Sequence, residues 1–406
     1  MAAFDRLQEA GASCRFYDDY DHEGAYQHTY AKVQASDYDC AVLSPGVKPD
    51  HPLLRLLADK GVPTISEPDL GYLFFDGKII AVTGTNGKTT TVKEIEAMLS
   101  AAGVKARAVG NVGVPFCSLR AGVDVAVVEM SSFQCHQSVF FRPYAAAITN
   151  IAPDHIEWHG TMRAYREAKC KLIGAAEVYA LNADDPDLPR VEGKMCYAYS
   201  MADETCTAFV SKRALYVRDG DNIRCLAGVE QLPLAGKHNV YNVLCALSLA
   251  VATVGYRPQF VEGILGYKGE RMRVEQLTFA RPFVYNDSKG TNASATIAAL
   301  RQMVGSTALL LGGYDKGEDF TRLFMSLGAD VVLVCFGAAG KRIAEAAADF
   351  GISRCDYVPT LAEAVKNALQ ADTDNVLFSP ACSSFDAYTS YVERGIDFEK
   401  QIRRYL

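Results

Sequence analysis

The sequence predicts an α/β protein of three domains, and three observations carry that reading. Short β-branched runs alternate with amphipathic stretches along most of the chain, the rhythm of parallel strand–helix–strand units. One glycine-rich loop, Gly84-Thr85-Asn86-Gly87-Lys88-Thr89-Thr90, falls between a strand and a helix. At 406 residues the chain also exceeds what one hydrophobic core ordinarily organises.

Taken in order, Ser13–Tyr17 and Cys40–Leu43 read as strands, the second running into the turn Ser44-Pro45-Gly46. A helix over 53–60 and a strand over 63–66 complete a first domain, 1–72. The second domain, 73–269, opens with the strand Lys78–Val82, then the glycine loop, then a helix from Thr90 to Ala102. Val92, Ile95, Leu99 and Ala102 share one face of that helix, and Gly103 stops it. Strands recur at 123–128 and 145–150, short strands fill 179–231, and a helix spans 240–254. The third domain, 270–406, offers strands at 283–285, 308–311, 331–336 and 376–378. Helices at 338–350 and 361–369 separate the later ones, again a Rossmann-like alternation.

Bulk properties narrow the function. A hydrophobic share of 49% with 22% charged residues describes a globular chain, and a net charge of -7 offers no electrostatic footprint for nucleic acid. No apolar run approaches the roughly 20 residues of a spanning helix, so no membrane insertion is expected. The 12 cysteines contain no Cys-x-x-Cys, and no signal peptide is visible, which favours reduced thiols in the cytoplasm.

The glycine loop is placed to hold phosphate. Glycines let backbone N–H groups approach phosphate oxygens, and the helix N-terminus adds its positive end. Lys88 would neutralise the β- and γ-phosphates and the Thr89 hydroxyl would ligate Mg²⁺. Val82 stands where the general pattern has a glycine, so the match is to a shorter variant; the bland reading is a glycine turn without a ligand. Glu129 and Asp154-His155 follow two further strand ends, where open α/β sheets bind ligands, although a strand often simply ends in a solvated Glu. Lys169 is the most informative single residue after the loop. With Met162, Tyr165, Leu172 and Ala176 it shares an otherwise apolar helix face, so it either meets an anion, is chemically modified, or snorkels its head to water.

Three polar loops follow strands of the third domain: Asn286–Asn292, Gly312–Lys316 and Ser379–Phe385. Together they would form one rim suited to a substrate bearing carboxylates, although each alone could be turn chemistry.

These residues resemble the Mur ligase family and, within it, the branch that adds D-glutamate. Thr83–Thr90, Asp154-His155, His159-Gly160 through Lys169, and His238-Asn239 with Asn242 carry the family pattern. Glu129–Gln134, Asn286–Asn292, Leu310–Phe320 and Ser379–Asp386 carry the branch. The resemblance implies an ATP-dependent ligase of peptidoglycan-precursor synthesis. Its partners would be UDP-N-acetylmuramoyl-L-alanine and D-glutamate, its intermediate an acyl phosphate, its state a monomer. It implies a catalytic set of Lys88, Glu129, His155 and Lys169. Thr89 and Glu129 would hold one Mg²⁺; Glu129, His155 and a CO₂-derived carbamate on Lys169 would hold a second. ATP would meet Gly84 through Thr90 together with Asn239, Asn242, Arg273 and Asp287, with Arg271 the alternative to Arg273. Asp18 and Ser44, Pro45 and Gly46 would contact the uridine nucleotide, and Asn111, Ser132 and Gln134 the muramoyl end. Thr291, Lys316, Ser384, Phe385 and Tyr391 would bind D-glutamate.

One departure stands out. Family members begin with a strand and a glycine-rich turn, whereas this chain starts in what reads as the following helix, Ala2–Ala10. A start upstream of the recorded one is expected, or else a reduced nucleotide-binding domain that lacks its first strand. Two alternatives stay open: a ligase of the same family adding another amino acid, and a UDP-sugar or nucleotide-binding protein without ligase activity.

Overall fold

A computed structural model describes residues 1–18, 30–111, 113–234, 236–269, 271–278, 280–314 and 317–405. They fall into two compact units, Met1–Pro233 with Asn239–Tyr267, and Leu234–His238 with Lys268–Leu406.

Before the large sheet of the first unit lies a small parallel pair, β1 (Ala41–Leu43) and β2 (Thr64–Ser66). The strand expected over Ser13–Tyr17 does not form; only Phe16 makes a bridge. The helix Glu67–Leu73 ties this region to the rest of the unit. Buried Asp69 accepts from the backbone N–H groups of Val139, Phe140 and Phe141, at 2.9, 3.0 and 2.8 Å.

The large sheet has nine strands: β3 (Lys78–Thr83), β4 (Ala106–Gly110), β5 (Val125–Glu129), β6 (Ala145–Ile148), β7 (Val178–Asn182), β8 (Met195–Ser200), β9 (Ala208–Ser211), β10 (Ala214–Asp219) and β11 (Asn222–Gly228). Their order is β11-β10-β9-β8-β7-β6-β3-β5-β4, parallel through β9 and antiparallel only at the β9–β10–β11 end. β3 and β5 read as continuous apolar runs because both faces are covered. Ile80 and Val82 pack with Val92, Ile95 and Leu99 of the helix Lys88–Ala101. Ile79 and Ala81 pack with Leu172 and Ile173 of the helix Met162–Ala175 on the other side. β3 lies between β5 and β6, so the chain switches direction at the end of β3, where α/β sheets place ligands.

In the second unit the order is β12 (Glu275–Gln276), β13 (Phe283–Asn286), β17 (Asn375–Ala381), β14 (Thr307–Gly312), β15 (Val331–Phe336) and β16 (Cys355–Val358). All pairs are parallel except β12 with β13. Because β13, β17 and β14 are neighbours, the three polar loops that follow them emerge side by side. None of the twelve cysteines, all among the described residues, forms a disulfide. Among the described residues no helix is long and apolar enough to cross a membrane.

Candidate active site

The glycine loop connects β3 to the helix Lys88–Ala101, which begins two residues earlier than its apolar spacing indicates. Gly87, at φ +83°, makes the turn from which the helix starts at once. A Cβ there would lie 2.3 Å from Asn242 Oδ1, so Gly87 also lets Asn242 approach the loop. Asn242 Nδ2 in turn donates to Asn239 Oδ1 at 3.2 Å, so the two asparagines expected at the adenosine form one pair. Lys88 folds back over the loop, its Nζ donating to the carbonyls of Gly84 and Thr85 at 2.8 and 2.9 Å. Asn86 is locked by Asn150, whose Oδ1 accepts from the Asn86 N–H and whose Nδ2 donates to its carbonyl, both at 3.0 Å. Thr85 Oγ1 lies 2.9 Å from the Tyr165 hydroxyl, and Thr90 is buried in the first helical turn.

The end of β5 reaches the same loop. Buried Glu129 accepts from the Thr89 hydroxyl at 2.7 Å through Oε2 and from Asn111 Nδ2 at 2.9 Å through Oε1. Asn111, expected at the muramoyl end, is therefore held on Glu129. Beneath the loop, Lys169 is only 1% exposed; its Nζ donates to the Gly84 carbonyl at 2.8 Å and lies 4.6 Å from the Tyr165 ring centre. Burial first, and the Lys88 charge second, bring its pKa down to about 7 against the pull of Cys135, Asp154 and Glu129. The ammonium thus neither snorkels to water nor has a carboxylate as its close hydrogen-bond acceptor. Lys171 instead reaches the His136 and Ser138 carbonyls.

His155 adopts φ +53° at the start of the short helix Ile156–His159. Its ring nitrogens stand 3.6 Å from Asp154 and from Glu157, and its ring packs on Phe133. Ser132 is buried, with His159 Nε2 2.9 Å from its hydroxyl. Burial and the charges of His136, Lys169 and His155 lower His159 to about 4, so that imidazole is neutral. Gln134 Oε1 accepts from Ser131 N–H and Oγ in a capping box, a local duty its motif did not reveal. Ser44, Pro45 and Gly46 follow β1, where the Ser44 carbonyl accepts from Gln137. Asp18 is an exposed residue.

In the second unit Asp287 is buried at the end of β13 and accepts from Ser379 Oγ at 2.6 Å. Burial raises its pKa to about 7, opposed by the Ser379 hydrogen bond and the Arg273 charge. Arg271 is ion-paired instead with Glu399, at 2.6 Å, and with Glu275. Asp287 therefore feels Arg273, the arginine preferred on its Arg-x-Glu pattern. Ser384 is buried, Thr291 half-buried and Phe385 68% exposed on the loops. Tyr391 opens the helix Tyr391–Ile402, with Lys289 Nζ 5.4 Å from its ring centre. Lys316 lies outside the described residues. Sequence reasoning gave Asn150, Tyr165 and His159 no site role of their own and did not single out Arg394; the last, 0% exposed, holds the rim loops together.

Mg²⁺ chemistry fits part of this arrangement. Thr89 Oγ1 and Glu129 are hard oxygen donors joined at a helix N-terminus, and Mg²⁺ ordinarily takes one or two such ligands and completes its shell with phosphates and water. Among the described residues no group of three or more His, Cys, Asp or Glu side chains is arranged to hold a metal ion, so Glu129 and His155 belong to no protein-only metal cage.

A family model for the Mur ligase middle domain matches residues 82–250, and one for the Mur ligase glutamate ligase domain matches 271–382. The UDP-N-acetylmuramoylalanine--D-glutamate ligase of Lachnoclostridium phytofermentans is 35% identical, over 90% of this chain and 84% of its own length. That of Syntrophus aciditrophicus is 36% identical, over 92% and 87%. Solved structures share the fold. MurF from Acinetobacter baumannii has a TM-score of 0.63 at 19% identity, covering 86% of this chain and 87% of its own. A pseudomurein peptide ligase type C from Methanothermus fervidus has 0.66 at 16%, covering 100% and 97%. With relatives this similar over most of its length, the chain belongs to the Mur ligase family.

Proposed function

We propose that this chain is an ATP-dependent, ADP-forming ligase that joins D-glutamate to UDP-N-acetylmuramoyl-L-alanine in the cytoplasmic synthesis of peptidoglycan precursors, acting as a monomer. The relatives from Lachnoclostridium phytofermentans and Syntrophus aciditrophicus are named UDP-N-acetylmuramoylalanine--D-glutamate ligase, which supports this reading. The observation that carries the reading here is the convergence on one loop of Lys88, the Thr89–Glu129 pair and buried Lys169.

In the first step the alanyl carboxylate attacks the γ-phosphorus of ATP and ADP leaves. The loop's N–H groups, the helix N-terminus and Lys88, swung off its own carbonyls, stabilise the charge in transit. Thr89 and Glu129 are the residues that would hold Mg²⁺, whose chemistry there would be charge neutralisation. In the second step the D-glutamate amine attacks the acyl phosphate, loses a proton, and phosphate departs from the tetrahedral intermediate. With its pKa near 7, Lys169 presents a free amine able to add CO₂, releasing one proton and leaving an anionic carbamate. That carbamate, with Glu129 and His155, would form the second Mg²⁺ set.

The domain division proposed for this activity is 1–72 for the UDP-linked substrate, with Asp18 and Ser44–Gly46; 73–269 for ATP and the muramoyl end, with Asn111, Ser132 and Gln134; and 270–406 for D-glutamate, with Thr291, Lys316, Ser384, Phe385 and Tyr391. Phosphate release from ATP with UDP-N-acetylmuramoyl-L-alanine and each of several amino acids tests the reading. Release should depend on D-glutamate; release with a different amino acid alone, or none at all, would overturn it.

A further inference from the structure

Arg394 lies on the helix Tyr391–Ile402, fully buried, and takes part in no step described so far. Its Nε donates to Ser288 Oγ at 3.2 Å and its Nη2 to the Ser288 carbonyl at 2.8 Å. Its Nη1 donates to the carbonyls of Cys382 and Ser383, at 3.0 and 2.9 Å. One guanidinium therefore joins the loop after β13 to the loop after β17. The third loop is attached through the same group: the Ser383 carbonyl also accepts from Tyr314 N–H at 2.9 Å. Gly313 must remain without a side chain, since a Cβ would stand 2.8 Å from Arg394 Nη1 and 2.3 Å from the Ser383 carbonyl. The helix start is tied in as well, because Ser288 Oγ donates to the Tyr391 carbonyl at 2.8 Å.

Two physical points follow. All four acceptor oxygens are neutral, so the cation is solvated by loop dipoles rather than cancelled by a carboxylate at hydrogen-bond distance. Burial lowers Arg394 only to about 10, which keeps it charged at neutral pH. A fixed positive charge beneath three converging loops favours an anion above them, and holds their backbones in one arrangement.

We propose that Arg394 is the positioning residue of the amino-acid pocket, setting the relative placement of Thr291, Ser384 and Tyr391 and biasing the rim toward an amino acid with two carboxylates. This rests on the D-glutamate reading above. Wild-type phosphate release with a panel of amino acids tests that reading by itself. If another amino acid is the substrate, the Arg394 measurements use that one, so the two failures are told apart.

The experiment measures initial rates of Arg394→Lys and Arg394→Ala in the full chain, varying D-glutamate and then ATP. Arg394→Lys keeps a charge but cannot span four acceptors. It should raise the D-glutamate KM about ten- to hundredfold while the ATP KM stays within about twofold. Guanidinium at millimolar concentration should lower the D-glutamate KM of Arg394→Ala. Equal rises in both KM values, or activity lost only in proportion to the folded fraction in a thermal melt, would overturn the proposal. Should neither variant fold, Ser288→Ala removes one acceptor and the tie to Tyr391; an unchanged D-glutamate KM in that variant would overturn it equally.

Discussion

Lys169 in the first unit and Arg394 in the second are both buried cations on helices, and both donate to carbonyls of loops that follow strand ends. Their chemistry differs. Lys169 has the Gly84 carbonyl as its close acceptor and a pKa near 7; Arg394 has four acceptors and stays near 10. A lysine under-solvated in this way can give up its proton and be modified, whereas the fork of an arginine keeps both charge and geometry. Under the proposed function the first supplies reactivity and the second a scaffold.

The largest effect should come from Lys169→Ala, which is expected to lower kcat by about a thousandfold or more, as removal of a group essential to charge stabilisation does. Acetate should restore part of the rate by standing in for the carbamate. Lys169→Arg keeps a cation but cannot add CO₂, and should remain inactive with or without acetate. Full activity in Lys169→Arg would erase the distinction between the two cations. Gly87→Ala comes next, because its Cβ would meet Asn242 and the residue would have to hold φ +83°. Its ATP KM should rise about a hundredfold, with D-glutamate little affected; the reverse pattern in steady-state kinetics would displace the loop from its assigned role.

How much of this was legible depended on burial. Central strands such as β3, β5, β14 and β15 declare themselves as apolar runs, and Lys169 was found from the spacing of its helix face. β4 and β16 went unread because they are edge strands, short and interrupted by Arg107 and Asp356. Arg394, Phe398 and Ile402 are spaced four apart, as a buried face requires. Val392 and Ile396 offer a competing apolar stripe on the same helix that is in fact exposed, so periodicity alone could not choose. Contacts such as Ser132 with His159, or Asn86 with Asn150, join distant segments and leave no local pattern.

The smallest effect concerns stability. Glu94 is buried among apolar side chains of the helix that follows the loop, and its Oε2 has no hydrogen-bond partner. Burial raises its pKa well above the usual carboxylate value. The folded state therefore holds this proton more tightly than the unfolded chain, and the contribution is lost as pH rises above the ordinary carboxylate range. Lys169 runs the other way: its folded pKa is lowered, so its contribution grows between about 7 and the usual 10.5. Glu94→Leu should stabilise the protein by about 1–3 kcal/mol at pH 8 in denaturant unfolding, and by less at pH 5. A destabilised variant would mean the carboxylate is satisfied.

Carbon-13 NMR of the protein in labelled bicarbonate tests the difference between the two buried cations most directly. A carbamate carbon signal should appear in the wild type, weaken as pH falls below about 7, and be absent in Lys169→Ala. A fully active wild type with no such signal would contradict the carbamate assignment.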